Sequence, residues 1–343
     1  MMCSLRANRC QKKDLRSGFP PLWSPLLAAC SPVLIPLLVQ QNKKFKRGQV
    51  AAEKENSRRI AGARGLELPP LEWMEIHVLI DFFAEPGFQG EPGVSYLIKT
   101  DHGSLLFDVG LGPSRPGIKH NARKMGVTWD GIDALAISHL HADHMGGLKA
   151  ARQGSIGLPD FADAPSNIPC FLPARATAAP LKPDVIEAPR ILAAGIGTTG
   201  PLARSLFFWG YLEEQILIAN LNDRGLVVVT GCGHPGVRVI VEMASKVTKL
   251  PLYALAGGLH FPITQSRVKL AGLELQMFLG SGKPPWQRIT KQELEQTITF
   301  MNQAKIQKVL VSGHDSCDES LAAIQAKLKA DTDILRAGAV YSL

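Results

Sequence analysis

Apolar and polar residues begin to alternate at Glu75–Phe83, a period-two pattern that predicts a β-strand exposed on one face. Two further β-rich runs, Val94–Thr100 and Ser104–Asp108, flank Asp101-His102-Gly103 and predict a hairpin. The second run closes in a glycine loop, Asp108-Val109-Gly110-Leu111-Gly112. Pro116–Gly126 reads as a helix, and Asp133–Ser138 as a short buried strand. Leu226–Thr230, Leu252–Ala256 and Val309–Ser312 are continuous apolar runs, each ending at glycine. Helical patterns over Val237–Lys246 and Lys291–Ala304 separate them. Strands alternating with helices, plus hairpins, predict a mixed α/β (α+β) body over 68–343. Residues 151–200 are rich in Ala, Pro and Gly with short strand signals such as Pro169–Leu172, residues 262–288 are irregular and glycine-rich, and no internal repeat is evident.

The chain before that body is different. Residues 1–20 are polar and basic, and Pro21–Val39 carries no charge. Nineteen residues just reach the roughly 17–25 needed to span a bilayer as a helix. Pro21, Pro25, Pro32 and Pro36 would kink such a helix, and Gln40-Gln41-Asn42-Lys43 makes a poor signal cleavage site. The segment 21–41 is read as a membrane anchor, against a degenerate targeting segment or an apolar arm packed on the surface. Residues 42–67 are read as an exposed, charged helical linker. Basic residues are heavier after the segment, which would place the body in the cytoplasm, with a soluble cytoplasmic protein as the alternative.

Composition narrows the partners. The net charge of +8 and pI near 9.2 first suggest nucleic acid. Yet residues 1–65 hold 13 Lys and Arg against 3 Asp and Glu, leaving the rest near neutral. No nucleic-acid footprint covers the body. Six scattered cysteines without a CxxC pair fit a reducing compartment better than a disulfide framework.

The chemistry gathers where strands end. His139-Leu140-His141-Ala142-Asp143-His144 places three imidazoles and a carboxylate within six residues, beside glycines and a buried strand end. Imidazole nitrogen and carboxylate oxygen are the usual ligands of zinc and similar cations. On an extended turn His139 and His141 point the same way, while Asp143 and His144 can face a second cation. The plainer reading is a polar loop opening a helix with Asp143 as its cap. Six of the nine histidines lie at strand ends, which favours a site over that reading. His234 and His314 are expected to ligate, because the cluster alone would leave a cation short of partners. His260 is a ligand, a proton donor or a hydrogen-bond donor to substrate. Asp108 is expected to orient a ligating imidazole. His77, His102 and His120 lack suitable neighbours and are read as structural.

These residues closely resemble the metallo-β-lactamase fold superfamily. His-x-His-x-Asp-His after a strand is its most specific mark, and Leu106-Phe107-Asp108-Val109-Gly110 matches its first motif. The resemblance covers about residues 75–317 and implies an αββα sandwich with a mono- or binuclear metal site at one edge. Thr230-Gly231-Cys232-Gly233-His234-Pro235-Gly236, Gly257-Gly258-Leu259-His260 and the late His314 are similar to a subgroup named for dihydropterin ribofuranosylaminobenzene phosphate synthase. Two departures stand out. No histidine occurs between His144 and His234, and Cys232 and His234 stand where a bridging aspartate is usual, so that either could fill its role. Carried over, His139, His141 and His234 would hold one metal, and Asp143, His144 and His314 the other. Cys232 is placed beside the ligands as a supporting residue.

The implied function is a metal-dependent hydrolase using zinc, two ions expected, with Mn2+ or Fe2+ as alternatives. Its substrate would be a small, anionic ester, lactone or phosphoester. Asp143 and His260 are the expected catalytic groups, and residues 262–288 are read either as a lid, with Trp286 for stacking and Lys283 or Arg288 for an anion, or as a surface loop. Alternatives are a pterin-pathway group transferase, a di-iron redox protein, and a binding module with a relic site. Di-iron relatives usually carry a carboxylate where His141 stands, which favours zinc-type hydrolysis.

Overall fold

Leu-Val-Val-Val at 226–229 is apolar at every position because both faces of its strand are covered. Val227 and Val229 point into a core between two sheets, and Val228 points out beneath helices. The same division runs through the computed structural model, which describes residues 24–161, 168–265, 267, 269–270, 273–274, 277 and 280–343.

One sheet has seven strands, in the order Val340–Ser342, Met74–Ile80, Ser95–Thr100, Gly103–Phe107, Ala134–Ala136, Pro169–Leu172, Lys182–Val185. Its last four strands run parallel. The other sheet follows the order Asp331–Ile334, Lys308–Val311, Leu252–Gly257, Gly225–Val229, Gly210–Leu221, Ile196–Leu206, Arg190–Ala193, and Pro70–Leu71 pairs with its Gly210–Leu221 strand. Its first four strands are also parallel. Ile76, Val78, Tyr96 and Phe107 meet Leu217, Ala219, Val227 and Val229 between the sheets.

Among the described residues there are seven α-helices: α1 (Ser24–Gly62), α2 (Gly117–Met125), α3 (Ala142–Met145), α4 (Leu148–Gln153), α5 (Val237–Val247), α6 (Lys291–Gln303) and α7 (Asp318–Lys327). Ile118 and Ala122 of α2 cover the outer face of the first sheet. Residues Ile240 and Met243 of α5, Leu294 and Ile298 of α6, and Leu321 and Ile324 of α7 cover the other. The result is an αββα sandwich. Thr290 and Glu293 form a capping box that fixes the start of α6.

The N-terminal region departs from the sequence reading. α1 runs unbroken from Ser24 through Pro32 and Pro36 to Gly62, across the boundary drawn between anchor and linker. No helix among the described residues is long and apolar enough to cross a membrane, so the anchor over 21–41 is without support. The basic segment 1–20 and Pro21 lie outside the described residues. The charged stretch is not a free linker: Phe45, Ala52 and Asn56 are buried against the second sheet. Its strand Ile196–Leu206 pairs with Arg190–Ala193 only at its start, leaving a bare edge from Pro201 onward. α1 closes that edge. The Asn56 amide donates to the Ala203 carbonyl at 2.9 Å and accepts from the Ala203 N–H at 2.7 Å. Arg59 donates to the Pro201 carbonyl at 2.8 Å, and Gln41 to that of Phe207. An edge paired by side chains cannot recruit another strand.

Candidate metal centre

Parallel strands present their C-terminal ends along one rim, and the candidate residues follow those ends directly. Asp81 follows Met74–Ile80, and Asp108 follows Gly103–Phe107. The 139–144 cluster follows Ala134–Ala136, with His141 as N-cap of the short α3. Cys232 and His234 follow Gly225–Val229, His260 follows Leu252–Gly257, and His314 follows Lys308–Val311. Asp108 and His260 both sit at φ 61°, a left-handed conformation that side-chain-bearing residues seldom adopt. The loops pack so closely that Gly231 admits no side chain: a Cβ there would lie 2.2 Å from Ser138 Oγ.

Six of the expected ligands converge. His139 Nε2 lies 3.1 Å from His141 Nδ1, which lies 3.3 Å from His234 Nε2. His144 Nε2 is 3.7 Å from Asp143 Oδ2 and 3.1 Å from Cys232 Sγ, and His314 Nε2 is 3.2 Å from the same sulfur. Asp143, His144, Cys232 and His314 offer ligand atoms within 4.8 Å of one another, as do His139, Cys232 and His234. Cys232 thus belongs to both groups. Its sulfur stands among the donor atoms.

Proton inventory fixes which nitrogens face inward. A serine hydroxyl has one proton to give. Ser138 gives it to Asp108 Oδ2 at 2.7 Å and accepts from His139 Nδ1 at 2.9 Å. His139 Nε2 therefore presents a lone pair. Ser312 does the same on the other side, donating to Asp81 Oδ2 at 2.6 Å and accepting from His314 Nδ1 at 2.6 Å. His144 Nδ1 donates to Asp108 Oδ2 at 2.7 Å, turning its Nε2 to the sulfur. Two buried aspartates thus aim three imidazoles at one cluster.

Electrostatics suit a cation. Burial holds His139 and His234 well below the usual imidazole pKa, and the crowd of neighbouring imidazoles adds to the effect. Burial likewise brings His141 and His314 down to about 4, with Asp143 and Asp315 respectively opposing it. These four rings are neutral and available as ligands. Burial alone would also lower His144, but Asp108 and Asp143 outweigh it and raise His144 to about 9. Burial opposes ionisation of Asp143, yet His144 and His314 hold it below the carboxylate range. Burial raises the Cys232 thiol well above its ordinary value, helped by the surrounding carboxylates, so it is protonated until a cation displaces the proton.

The residues fit a divalent ion. Tetrahedral zinc with nitrogen ligands at about 2.0–2.1 Å sets neighbouring ligand atoms roughly 3.3 Å apart. The nitrogen pairs at 3.1 and 3.3 Å match that spacing. His234 Nδ1 is buried with no hydrogen-bond partner among the described residues, while its backbone is firmly held. Glu214 does the holding: its carboxylate accepts from the N–H groups of Gly231, Gly233 and His234 at 3.1, 2.9 and 2.8 Å.

The metallo-beta-lactamase superfamily model matches residues 89–154, which include the histidine cluster. A solved metal-dependent hydrolase of the beta-lactamase superfamily, Tm1679, superposes with a TM-score of 0.55 at 20% identity, covering 78% of this chain and 98% of that one. This is a metallo-β-lactamase-fold protein. Among curated proteins, one similar to this chain is the 7,8-dihydropterin-6-methyl-4-(beta-D-ribofuranosyl)-aminobenzene-5'-phosphate synthase of Methanocaldococcus jannaschii. The two are 26% identical over 231 residues, 54% of this chain and 77% of the relative.

Within the metallo-β-lactamase fold, the remaining expected residues are placed less centrally. His260 Nε2 contacts the Gly280 carbonyl, and its Nδ1 lies 3.8 Å from Asp315 Oδ2. Cys232, His260 and Asp315 form a third group of close ligand atoms. Lys283 pairs with Glu293 at the α6 cap, so its charge is engaged there and not at the cluster. Trp286 is exposed beside α1, and Arg288 is half-buried. Much of the supposed lid between 266 and 279 lies outside the described residues. Trp209, which sequence reasoning missed, has its ring 5.8 Å from that of His141. Asp81, Ser138, Glu214, Ser312 and Asp315 were missed as well. Asp81 repeats the Asp108 signal, a carboxylate directly after a buried strand. Glu214 lies inside a strand and carries no local sign.

Proposed function

We propose that the protein is a metal-dependent hydrolase with a binuclear, zinc-type centre. His139, His141 and His234 would hold one ion, and Asp143, His144 and His314 the other, with Cys232 between them. The supporting observation is the convergence of inward-facing donor atoms from three strand ends, at the spacing a small divalent ion requires. When bound, such ions supply Lewis acidity toward an ester, lactone or phosphoester and lower the pKa of water.

The protein groups divide the remaining work. Asp143, ionised and only partly covered, accepts a proton at Oδ2. His260 donates through Nε2 to the Gly280 carbonyl, so a neutral ring keeps only a lone pair at Nδ1. It gives a proton to a leaving group only as the imidazolium, and Asp315 Oδ2 lies 3.8 Å from that Nδ1. Asp108 and Ser138 hold the rings of His139 and His144 in the tautomers described above.

Elemental analysis of the full chain tests the reading, with His139→Ala and His234→Ala beside the wild type. About two zinc-type ions per chain, reduced in both variants, together with turnover of an aryl lactone or a phosphodiester, is the expected result. Metal content indifferent to both substitutions would overturn it. A second reading is group transfer to a pterin-like ring. It is favoured by the similarity to the archaeal synthase and by the Trp209 ring beside His141. Full metal loading without hydrolysis of either substrate would move the assignment there.

A further inference from the structure

α1 has two unlike halves. From Gln41 to Arg59 it is tied to the sheet edge. The preceding turns are apolar on every side, with Val33, Ile35, Leu37 and Val39 exposed at 66, 59, 55 and 50%. A helix serving only a protein core shows a one-sided stripe, so this exposure calls for a partner. Trp286, itself 54% exposed, joins Ile35, Leu38 and Val39 in an apolar groove of about 440 Å³ rimmed by Asn42, Lys43 and Lys46. Phe207 links Trp286 to Phe45 and Phe208, and the exposed Trp209 follows in sequence and reaches the ring of His141. Lys43, Lys44, Lys46 and Arg47 are exposed directly after the apolar turns, and no acidic residue occurs between Ser31 and Ala52.

We propose that this end of α1, with Trp286, Phe208 and Trp209, docks on the surface of an anionic lipid bilayer. Apolar turns buried at the acyl boundary, tryptophans at headgroup depth and a cationic cluster against phosphate are the three components of interfacial binding. The uncharged part of α1, Ser24–Val39, rises about 24 Å, short of a ~30 Å hydrocarbon core, so the helix enters the interface without crossing it. A second copy of the chain is the less suitable occupant. Pairing the same faces would bring four exposed cations of one copy beside four of the other. Through Trp209 the docking surface reaches the lip of the metal centre, which then faces the lipid.

Co-sedimentation of the full, metal-loaded chain tests the proposal. The probes are vesicles of phosphatidylcholine alone and of phosphatidylcholine with phosphatidylglycerol, with light scattering run in parallel. Binding to the anionic vesicles, about tenfold or more weaker on phosphatidylcholine and weakened by salt, is expected. Ile35→Asp/Leu37→Asp is expected to abolish binding to both, and Lys43→Glu/Lys44→Glu to remove the anionic preference. Circular dichroism and metal content should stay at wild-type values in each variant. Absence of binding to either vesicle overturns the proposal. So does equal binding to both, or a dimer that Ile35→Asp/Leu37→Asp dissolves while the wild type ignores vesicles.

Discussion

The Asp108 carboxylate lies 2.7 Å from Nδ1 of His144, and both side chains are fully buried. The same carboxylate accepts from the Ser138 hydroxyl and, at 2.6 Å, from the Ser138 N–H. One group therefore orients two of the candidate ligand rings and the loop between them. Asp108→Asn keeps the shape but replaces one acceptor with a donor. Metal affinity is expected to fall about 10–100-fold, the usual cost of losing such a partner. Competition against a chromophoric chelator measures it, and an unchanged affinity would remove Asp108 from the site.

Cys232 Sγ lies 3.1 Å from His144 Nε2 and 3.2 Å from His314 Nε2. A buried thiol in such company ionises only if a cation replaces its proton. Cobalt substitution reads this directly. The wild type is expected to show thiolate-to-cobalt charge-transfer absorption, and Cys232→Ser to lack it while keeping the weaker ligand-field bands. Loss of no absorption in the variant would leave the sulfur a neighbour of the metal and not a ligand.

Much of this was legible in the chain. Continuous apolar runs ending at glycine marked the parallel strands, because strands buried on both faces need no polar alternation. The histidines sit at those ends, so the rim of the sandwich is readable in the chain. What escaped was long-range. Asp81 meets Ser312 across 231 residues, and Glu214 meets the 231–234 loop from within a strand. Nothing near either residue in sequence announces its partner. The α1 docking escaped for the same reason: its charged face looked like a solvated linker, and Asn56 gave no sign of the strand edge it pairs.

Asp81 makes stability depend on pH. Burial raises its pKa from 3.8 to about 7, although Ser312, Tyr96, Gly313 and Phe82 all donate to it. Between those values the folded protein holds a proton that the unfolded chain has released. Its contribution to stability is therefore full below about pH 4 and is lost as the pH rises toward 7, with a slope of at most about 1.4 kcal/mol per pH unit. Asp81→Asn removes the titration. Denaturant unfolding at several pH values should show the variant gaining on the wild type as pH rises from 4 to 7, and a constant difference would refute the assignment.

Asn56 offers the cleanest test of how α1 is held. Its amide occupies both the N–H and the carbonyl of Ala203, at 2.7 and 2.9 Å, on a stretch of strand that has no other outer neighbour. Asn56→Ala leaves both backbone groups beneath a helix without partners, and each such loss costs about 1–3 kcal/mol. A destabilisation of roughly 2–6 kcal/mol is expected from the two together. The bared edge is also a template for pairing with another chain, so the variant should aggregate more readily on partial unfolding. Urea titration gives the first quantity and light scattering near the midpoint the second. A loss under about 0.5 kcal/mol, the range of ordinary surface substitutions, would mean that α1 is held by its apolar contacts and that the amide bonds are incidental.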